Sequence, residues 1–136
     1  MNKNKYLLMV SSIGVFLLLA AAAVSENFMK DWHGIQNSAK TTEGPVDLRL
    51  RQIVNPQLKV TDRCVTCHVG MASGEQITTD QKVGAAHKPV VHSPTEIGCT
   101  VCHGGQGQAT EKDDAHGNVH FWTEPMLPAK YAYASC

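Results

Sequence analysis

The feature that most constrains this chain is a pentapeptide that occurs twice. It reads Cys64-Val65-Thr66-Cys67-His68 and, after residues 69–98, Cys99-Thr100-Val101-Cys102-His103. Cys-x-x-Cys-His is the attachment signal for a c-type haem. Two thiols on one turn can reach the two vinyl groups of a single porphyrin, and the adjacent histidine then supplies the proximal ligand of the iron. The sequence therefore predicts two covalently bound haem c groups in this chain.

Cysteines in this pattern could also bind zinc or form disulfides. Paired CxxC units also frame zinc sites, in which histidine is a common further ligand. Here the spacer is longer than the roughly 15–20 residues usual between the halves of such sites, and each motif carries its own histidine. Disulfides suit an exported protein but leave both motif histidines without a role. Haem is the prediction that uses every residue of the motif.

The amino-terminal segment predicts export. Lys3 and Lys5 precede an uncharged, largely apolar run from Tyr6 to Val24. As a helix rising about 1.5 Å per residue, this run is roughly 28 Å long, close to the ~30 Å hydrocarbon thickness of a bilayer. Residues 1–24 are therefore predicted to be a signal anchor or transmembrane helix, with the lysines in the cytoplasm and the remainder across the membrane. The alternative is a cleaved signal peptide, which leaves a soluble periplasmic protein.

Residues 25–60 are predicted to be a juxtamembrane helix and a linker. Phe28, Trp32 and Ile35 recur at helical spacing, which indicates a helix over residues 25–40. Trp32 suits either an aromatic anchor at the membrane interface or a short amphipathic linker helix. Further on, apolar and charged residues alternate over 46–50, as in a short strand.

Residues 61–136 are predicted to be the haem-binding cytochrome c domain, mostly irregular with short α-helices, one of them at each motif. Only about a quarter of the residues after Val24 are Val, Ile, Leu, Met, Phe, Trp or Tyr, too few for a conventional core. We expect the porphyrins to supply it, as metals and disulfides do in other small domains. Twelve basic and twelve acidic side chains give a formal net charge of zero, so nothing points to nucleic acid.

The fifth cysteine, Cys136, is the last residue of the sequence. The run Tyr131-Ala132-Tyr133-Ala134-Ser135-Cys136 looks like the approach to a third motif that is cut off after its first cysteine. We expect the chain to be a fragment of a longer protein in which Cys136 binds a third haem. A free thiol and an intermolecular disulfide are the alternatives.

The second axial ligands are the least determined part of the site. His68 and His103 are the proximal ligands, and His33 lies beside the apolar segment, where a surface or interfacial role is the simplest. The remaining candidates for the distal ligands lie in the loops before and after the second motif: His87, His92, His116 and His120. Methionine is the competing ligand type, with Met71 and Met126 outside the apolar segment, and would raise the reduction potential.

Several stretches of the sequence resemble the membrane-anchored multihaem c-type cytochromes of bacterial respiratory chains. They read "DWHGIQ", "RQIVNPQL", "TDRCVTCHVGM", "HSPTEIGCTVCHGGQGQAT" and "DAHGNVHFWTEPMLPAKYAYASC". The resemblance implies an electron carrier fixed to the outer face of the cytoplasmic membrane. It specifies a class and no particular redox partner.

The expected function is electron transfer by haem c between a membrane donor and a periplasmic or exported acceptor. The partners expected are the membrane and other redox proteins, among them the subunits of a quinol-oxidising complex, and no nucleic acid. An electron carrier of this kind is not itself an enzyme. The alternative is a haem enzyme or gas-binding sensor in which one iron keeps an open coordination site.

Overall fold

The computed structural model describes residues 2–73, 77 and 81–135. The chain divides into two compact units, Met1–Lys30 and Asp31–Cys136. The first is one long apolar helix, and the second is built from short helices, two small hairpins and irregular segments. In these coarse terms the predicted fold class is confirmed.

The first unit consists of helix α1, Lys3–Phe28. Asn2 caps it, since its side chain accepts a hydrogen bond from the Asn4 amide at 3.4 Å. Near the other end, Lys30 Nζ lies 3.0 Å from Glu26 Oε1. None of the residues of α1 is buried. Among the described residues this helix supplies the one stretch long and apolar enough to cross a membrane, a property that membrane anchors share with signal sequences.

The second unit opens with helix α2, Asp31–Ser38. The continuous helix predicted over residues 25–40 is thus interrupted at residues 29–30, between α1 and α2. Trp32 is only 8% exposed and Gln36 is fully buried. The structure therefore uses Trp32 as a core residue of the second unit, which favours the amphipathic-helix interpretation of this segment.

Two small antiparallel hairpins follow α2. In the first, β1 (Lys40–Thr41) pairs with β2 (Gly44–Pro45). In the second, β3 (Ile53–Asn55) pairs with β4 (Val60–Asp62), with Ile53 opposite Asp62. The second hairpin ends two residues before Cys64. Its register therefore fixes the position at which the first Cys-x-x-Cys-His motif begins.

The strand predicted over residues 46–50 is wrong. This segment is irregular because side chains take the place of a neighbouring strand. The Arg49 amide donates to Gln36 Oε1 at 2.8 Å, and the Arg51 amide donates to Thr66 Oγ1 at 3.0 Å. Backbone groups satisfied in this way need no sheet partner.

The rest of the second unit is a chain of single-turn helices joined by loops. Their bounds are α3 Cys64–Cys67, α4 Gly70–Ser73, α5 Gln81–Gly84, α6 Pro94–Ile97, α7 Thr100–His103, α8 Lys112–Ala115 and a closing 3₁₀ helix Ala129–Ser135. Each motif therefore carries a short helix, as predicted.

The side-chain core of this unit is small. The buried apolar residues among those described are Trp32, Ala39, Ile53, Val65, Val69 and Ala132. Polar side chains share the interior with them, and the largest fully buried ones are Gln36, Thr66 and Asp62. A domain of this size with so few buried apolar side chains gains little from hydrophobic burial alone.

Candidate haem-binding site

The first motif begins two residues after β4 and is held by its inner residues. Val65 and Thr66 are buried, while the two cysteines and His68 are half-buried. The Thr66 hydroxyl donates to the Arg51 carbonyl oxygen at 2.6 Å. The His68 amide donates to the Cys64 carbonyl oxygen at 2.8 Å and closes the turn. The inner residues of the motif are thus packed into the domain, while the two cysteines and His68 stay partly accessible.

The second motif is held by a carboxylate from β4. Asp62 Oδ2 accepts hydrogen bonds from the Cys99 amide at 2.5 Å and from the Thr100 amide at 2.7 Å. The Thr100 hydroxyl donates to Asp62 Oδ1 at 2.8 Å. Gly98 and Gly104, on either side of the motif, have φ of 95° and 66°, a region that residues with a side chain rarely adopt. A glycine with positive φ therefore stands on each side of the second motif and sets the position where the chain turns into and out of α7.

The two motifs meet at their first cysteines. The Cys99 thiol donates a hydrogen bond to the Cys64 sulfur, which lowers the pKa of Cys64 and raises the pKa of Cys99. Burial raises the pKa of Cys67. None of the four motif cysteines is disulfide-bonded in the described part of the chain. Because the thiolate is the reactive form of cysteine, this hydrogen bond favours ionisation of Cys64 over that of Cys99.

A second histidine faces the first motif histidine. The ring centroids of His68 and His116 are 6.4 Å apart, and the ring planes differ by 28°. His116 follows α8, and its carbonyl oxygen accepts from the Met126 amide at 2.8 Å. The neighbouring Leu127 amide donates to the His103 carbonyl oxygen at 2.7 Å. The segment after the second motif thus folds back and brings His116 to the first.

A second histidine also faces the other motif. The ring centroids of His103 and His87 are 6.2 Å apart, with the planes nearly perpendicular at 77°. His87 Nδ1 lies 2.7 Å from the Lys88 carbonyl oxygen. A carbonyl can only accept, so Nδ1 carries a proton, and Nε2 is the ring nitrogen that can bind a metal ion when the imidazole is neutral. Burial, and next the positive charge that His87 carries when it is protonated, lower the pKa of His103, which favours the neutral imidazole that a metal ion needs.

These separations fit an iron between each pair. A metal-bound imidazole nitrogen lies about 2.0–2.1 Å from the ion, so two imidazoles on opposite sides of one iron have centroids roughly 6 Å apart. Metal-binding histidines typically donate their other ring N–H to a carbonyl or carboxylate, as His87 does. His33 Nε2 is buried without a hydrogen-bond partner in the described residues, a polar atom that a bound group with acceptor oxygens would satisfy. The residues present therefore fit haem.

The other predicted ligands lie elsewhere. His92 is exposed and, with His87 and Met71, lines a cavity of about 410 Å³. His120 is exposed and packs edge-on against Phe121, with centroids 4.9 Å apart. Met126 is 43% exposed, and its Cβ would lie 3.6 Å from a Cβ added to Gly105. Cys136, the predicted start of a third motif, lies outside the described residues.

The donor groups are not arranged for zinc. Within the described residues, no three His, Cys, Asp or Glu side chains come together in a cluster that could hold a metal ion. The histidines instead form two separate pairs, each with one motif histidine. Two histidines supply two ligands to a metal ion, and a porphyrin is a flat ligand system that can fill the remaining coordination positions.

Sequence reasoning missed Asp62, which is the residue that joins the two motifs. It stands in Thr61-Asp62-Arg63 before Cys64, where an acidic residue carries no recognisable signal. The one indirect sign is the glycine at 107. A Cβ there would overlap the Asp62 carboxylate. At Gly105 a Cβ would likewise meet the chain itself, 2.6 Å from the Ala115 carbonyl oxygen.

Two Cys-x-x-Cys-His turns, each with a facing histidine, have the features of a protein that binds haem covalently. The chain belongs to the family of cytochrome c554 and c-prime, whose family model matches residues 24–104. The matched region includes both motifs and ends directly after His103. Membership implies covalently bound haem c and haem-based electron transfer. No curated protein and no solved structure matches the chain.

Proposed function

We propose that this chain is a multihaem electron carrier that holds one haem c on each motif, with two histidines on each iron. Cys64 and Cys67 attach the first haem, and His68 and His116 are its axial ligands. Cys99 and Cys102 attach the second, with His103 and His87. Bound haem supplies a one-electron Fe(III)/Fe(II) couple. The observation that carries the proposal is that each motif histidine faces a second imidazole at about the separation expected for one iron.

Two protein ligands on each iron leave no position for a substrate. This favours electron transfer over haem catalysis or gas sensing, which need an open site. The Lys88 carbonyl oxygen keeps His87 Nε2 available for the iron, because it accepts a hydrogen bond from Nδ1 and so holds the proton on that nitrogen. The folded-back segment at 126–127 holds His116 and His103 through their carbonyl oxygens. The chain thus supplies fixed ligands, an arrangement suited to small structural change between oxidation states.

The contact between Cys64 and Cys99 supports transfer between the two haems. Two haems attached at cysteines that contact each other in the fold lie close together. Closely spaced haems exchange electrons by direct hopping. The chain then acts as a two-centre relay and needs no mobile carrier between its own sites.

We propose further that α1 anchors this relay in the cytoplasmic membrane and that the haem domain faces the periplasm. The length and apolar character of α1 support an anchor, and haem attachment at Cys-x-x-Cys-His takes place on the far side of that membrane. The partners in this proposal are a membrane donor, such as a quinol-oxidising complex, and an exported acceptor. Cleavage of α1 as a signal peptide would give a soluble periplasmic carrier.

The experiment that tests the carrier function is an optical spectrum of the native chain, with and without carbon monoxide. Pyridine haemochrome absorbance should give two haems per chain. The reduced protein should show no Soret shift on addition of carbon monoxide. A shift would reveal an open iron and favour the enzyme or sensor alternative. A colourless chain from a host competent in haem attachment would overturn the proposal altogether.

Localisation has a separate test. Intact mass of the native protein shows whether residues 1–24 are retained, and membrane fractionation shows where the haem is. Retention with release by detergent only is the expected result. A shortened mass in the soluble periplasmic fraction would replace the anchor with a signal peptide and leave the relay untouched.

A further inference from the structure

Asp62 is the residue through which the two motifs are mechanically joined. It ends β4, two residues before Cys64, and is 1% exposed. Its carboxylate accepts three donors from the second motif: the amides of Cys99 and Thr100 and the Thr100 hydroxyl. The side chain that fixes the second motif therefore belongs to a residue only two positions before the first motif.

The surroundings of Asp62 are shaped to its carboxylate. A Cβ on Gly98 would lie 2.7 Å from Asp62 Oδ2, and one on Gly107 would overlap Asp62 Oδ1. The Gly107 carbonyl oxygen accepts from the Arg63 amide at 2.6 Å, which holds the glycine loop against β4. The carboxylate therefore sits in a close-fitting cradle, and its position relative to α7 is fixed.

The charge of this carboxylate is not cancelled by an ion pair within residues 2–73, 77 and 81–135. All three of its donor groups are neutral, an arrangement suited to an ionised carboxylate, which only accepts. A buried charge without a counter-charge is costly, and in a low-dielectric interior its field reaches further than in water. His103 is one helical turn from Thr100, so this field acts on whatever His103 holds.

We propose that Asp62 is a positioning residue that fixes the second motif to the first and, through its charge, lowers the reduction potential of the iron held by His103. The physical reason is that Fe(III) carries one more positive charge than Fe(II), so a fixed negative charge favours the oxidised state. The inference rests on the proposed function, because it requires a haem on the second motif.

The test is a redox titration of the haem-loaded full chain, followed by its absorbance. Asp62→Asn removes the charge and keeps the shape. We expect one transition to move to a more positive potential, by on the order of tenfold in the reduction equilibrium, about 59 mV for one electron. Glu43→Gln is the matched control, because it removes an exposed carboxylate from the turn between β1 and β2. It should leave both transitions in place.

Thr100→Val separates the charge from the packing. It deletes the hydroxyl that donates to Asp62 Oδ1 and keeps the carboxylate, so its charge is less compensated. The potential should then move in the negative direction, opposite to Asp62→Asn. If Asp62 acted through packing alone, both variants would loosen the same contact and move the potential in the same direction, which would overturn the proposal.

The remaining outcomes are also decisive. Equal potentials in wild type and Asp62→Asn would overturn the role of the charge. If the Asp62→Asn protein does not accumulate in the cell, the Thr100→Val titration is the test. An unchanged or more positive potential of the Thr100→Val protein then counts against the proposal. Haemochrome absorbance of the wild type is measured first. Its absence would refute the proposed function, whereas haem with unshifted variants would refute only the role of Asp62.

Discussion

Gln36 connects α2 to the first motif through Thr66. Its Nε2 donates to the Thr66 carbonyl oxygen at 2.8 Å and also to the Arg49 carbonyl oxygen at 2.8 Å. Its Oε1 accepts from the Arg49 amide at 2.8 Å. One fully buried side chain therefore satisfies three backbone groups on two different segments, and it fixes the irregular chain over residues 46–50 against the helix that carries the first two motif cysteines.

Gln36→Leu should destabilise the haem-loaded domain. The substitution leaves buried backbone groups without partners, each at a cost of about 1–3 kcal/mol. We expect the free energy of unfolding to fall by at least this amount in denaturant titrations followed by the Soret band. Asn37→Leu, at the neighbouring exposed position, should have little effect. Equal losses in the two variants would contradict the role assigned to Gln36.

The four loop histidines should separate into two classes. His116→Ala and His87→Ala each remove one axial ligand, so each should convert one haem to a carbon monoxide-binding form. The exposed His92 and His120 provide matched controls, and their alanine variants should keep the wild-type spectrum in the presence of carbon monoxide. If the His92 or His120 variant binds carbon monoxide and the His87 or His116 variant does not, the exposed histidine is the axial ligand instead.

Gly107→Ala should disturb the junction between the motifs. A Cβ at this position overlaps the Asp62 carboxylate, and overpacking of this kind typically costs about 1–3 kcal/mol. Gly34→Ala in α2 is the control, because its Cβ would meet nothing within 4 Å. In a helix this exchange should stabilise by roughly 0.5–1 kcal/mol. Thermal midpoints of the loaded proteins measure both changes, and a Gly107→Ala midpoint at or above that of the wild type would argue against the tight cradle.

Haem attachment should be required for stable folding of the second unit. The buried apolar residues described above are few, and small domains with so little core usually depend on a bound group. The chain exported in a host without haem attachment should be cleaved rapidly by protease within the second unit and show no cooperative unfolding transition of that unit. A protease-resistant, cooperatively unfolding apoprotein would show that side chains alone suffice.

The sequence contained the local parts of the site but not their pairing. The Cys-x-x-Cys-His turns could be predicted because the chemistry of attachment requires adjacent residues, and the long apolar helix because its composition is uniform. The choice among four loop histidines could not be predicted. His116 reaches His68 only because the chain folds back through residues 126–127, a contact between segments distant in sequence.

The wrong strand over residues 46–50 has a related cause. Alternation of apolar and charged residues predicts a strand only where another strand is available to pair with it. Here the backbone amides bind the Gln36 and Thr66 side chains instead. Side-chain partners of this kind come from positions 13 and 15 residues away, and no local pattern records them. The same holds for Asp62, whose partners lie 37 and 38 residues further along.

The Asp62 contact makes the placement of the two motifs independent of the residues that separate them in sequence. Because β4 and α7 meet directly through this carboxylate, residues 69–98 connect two ends that are already fixed to each other. The entropy of closing such a connection changes only slowly with its length. Evolution can therefore lengthen, shorten or recompose the intervening chain away from His87 while the two attachment sites keep their spacing.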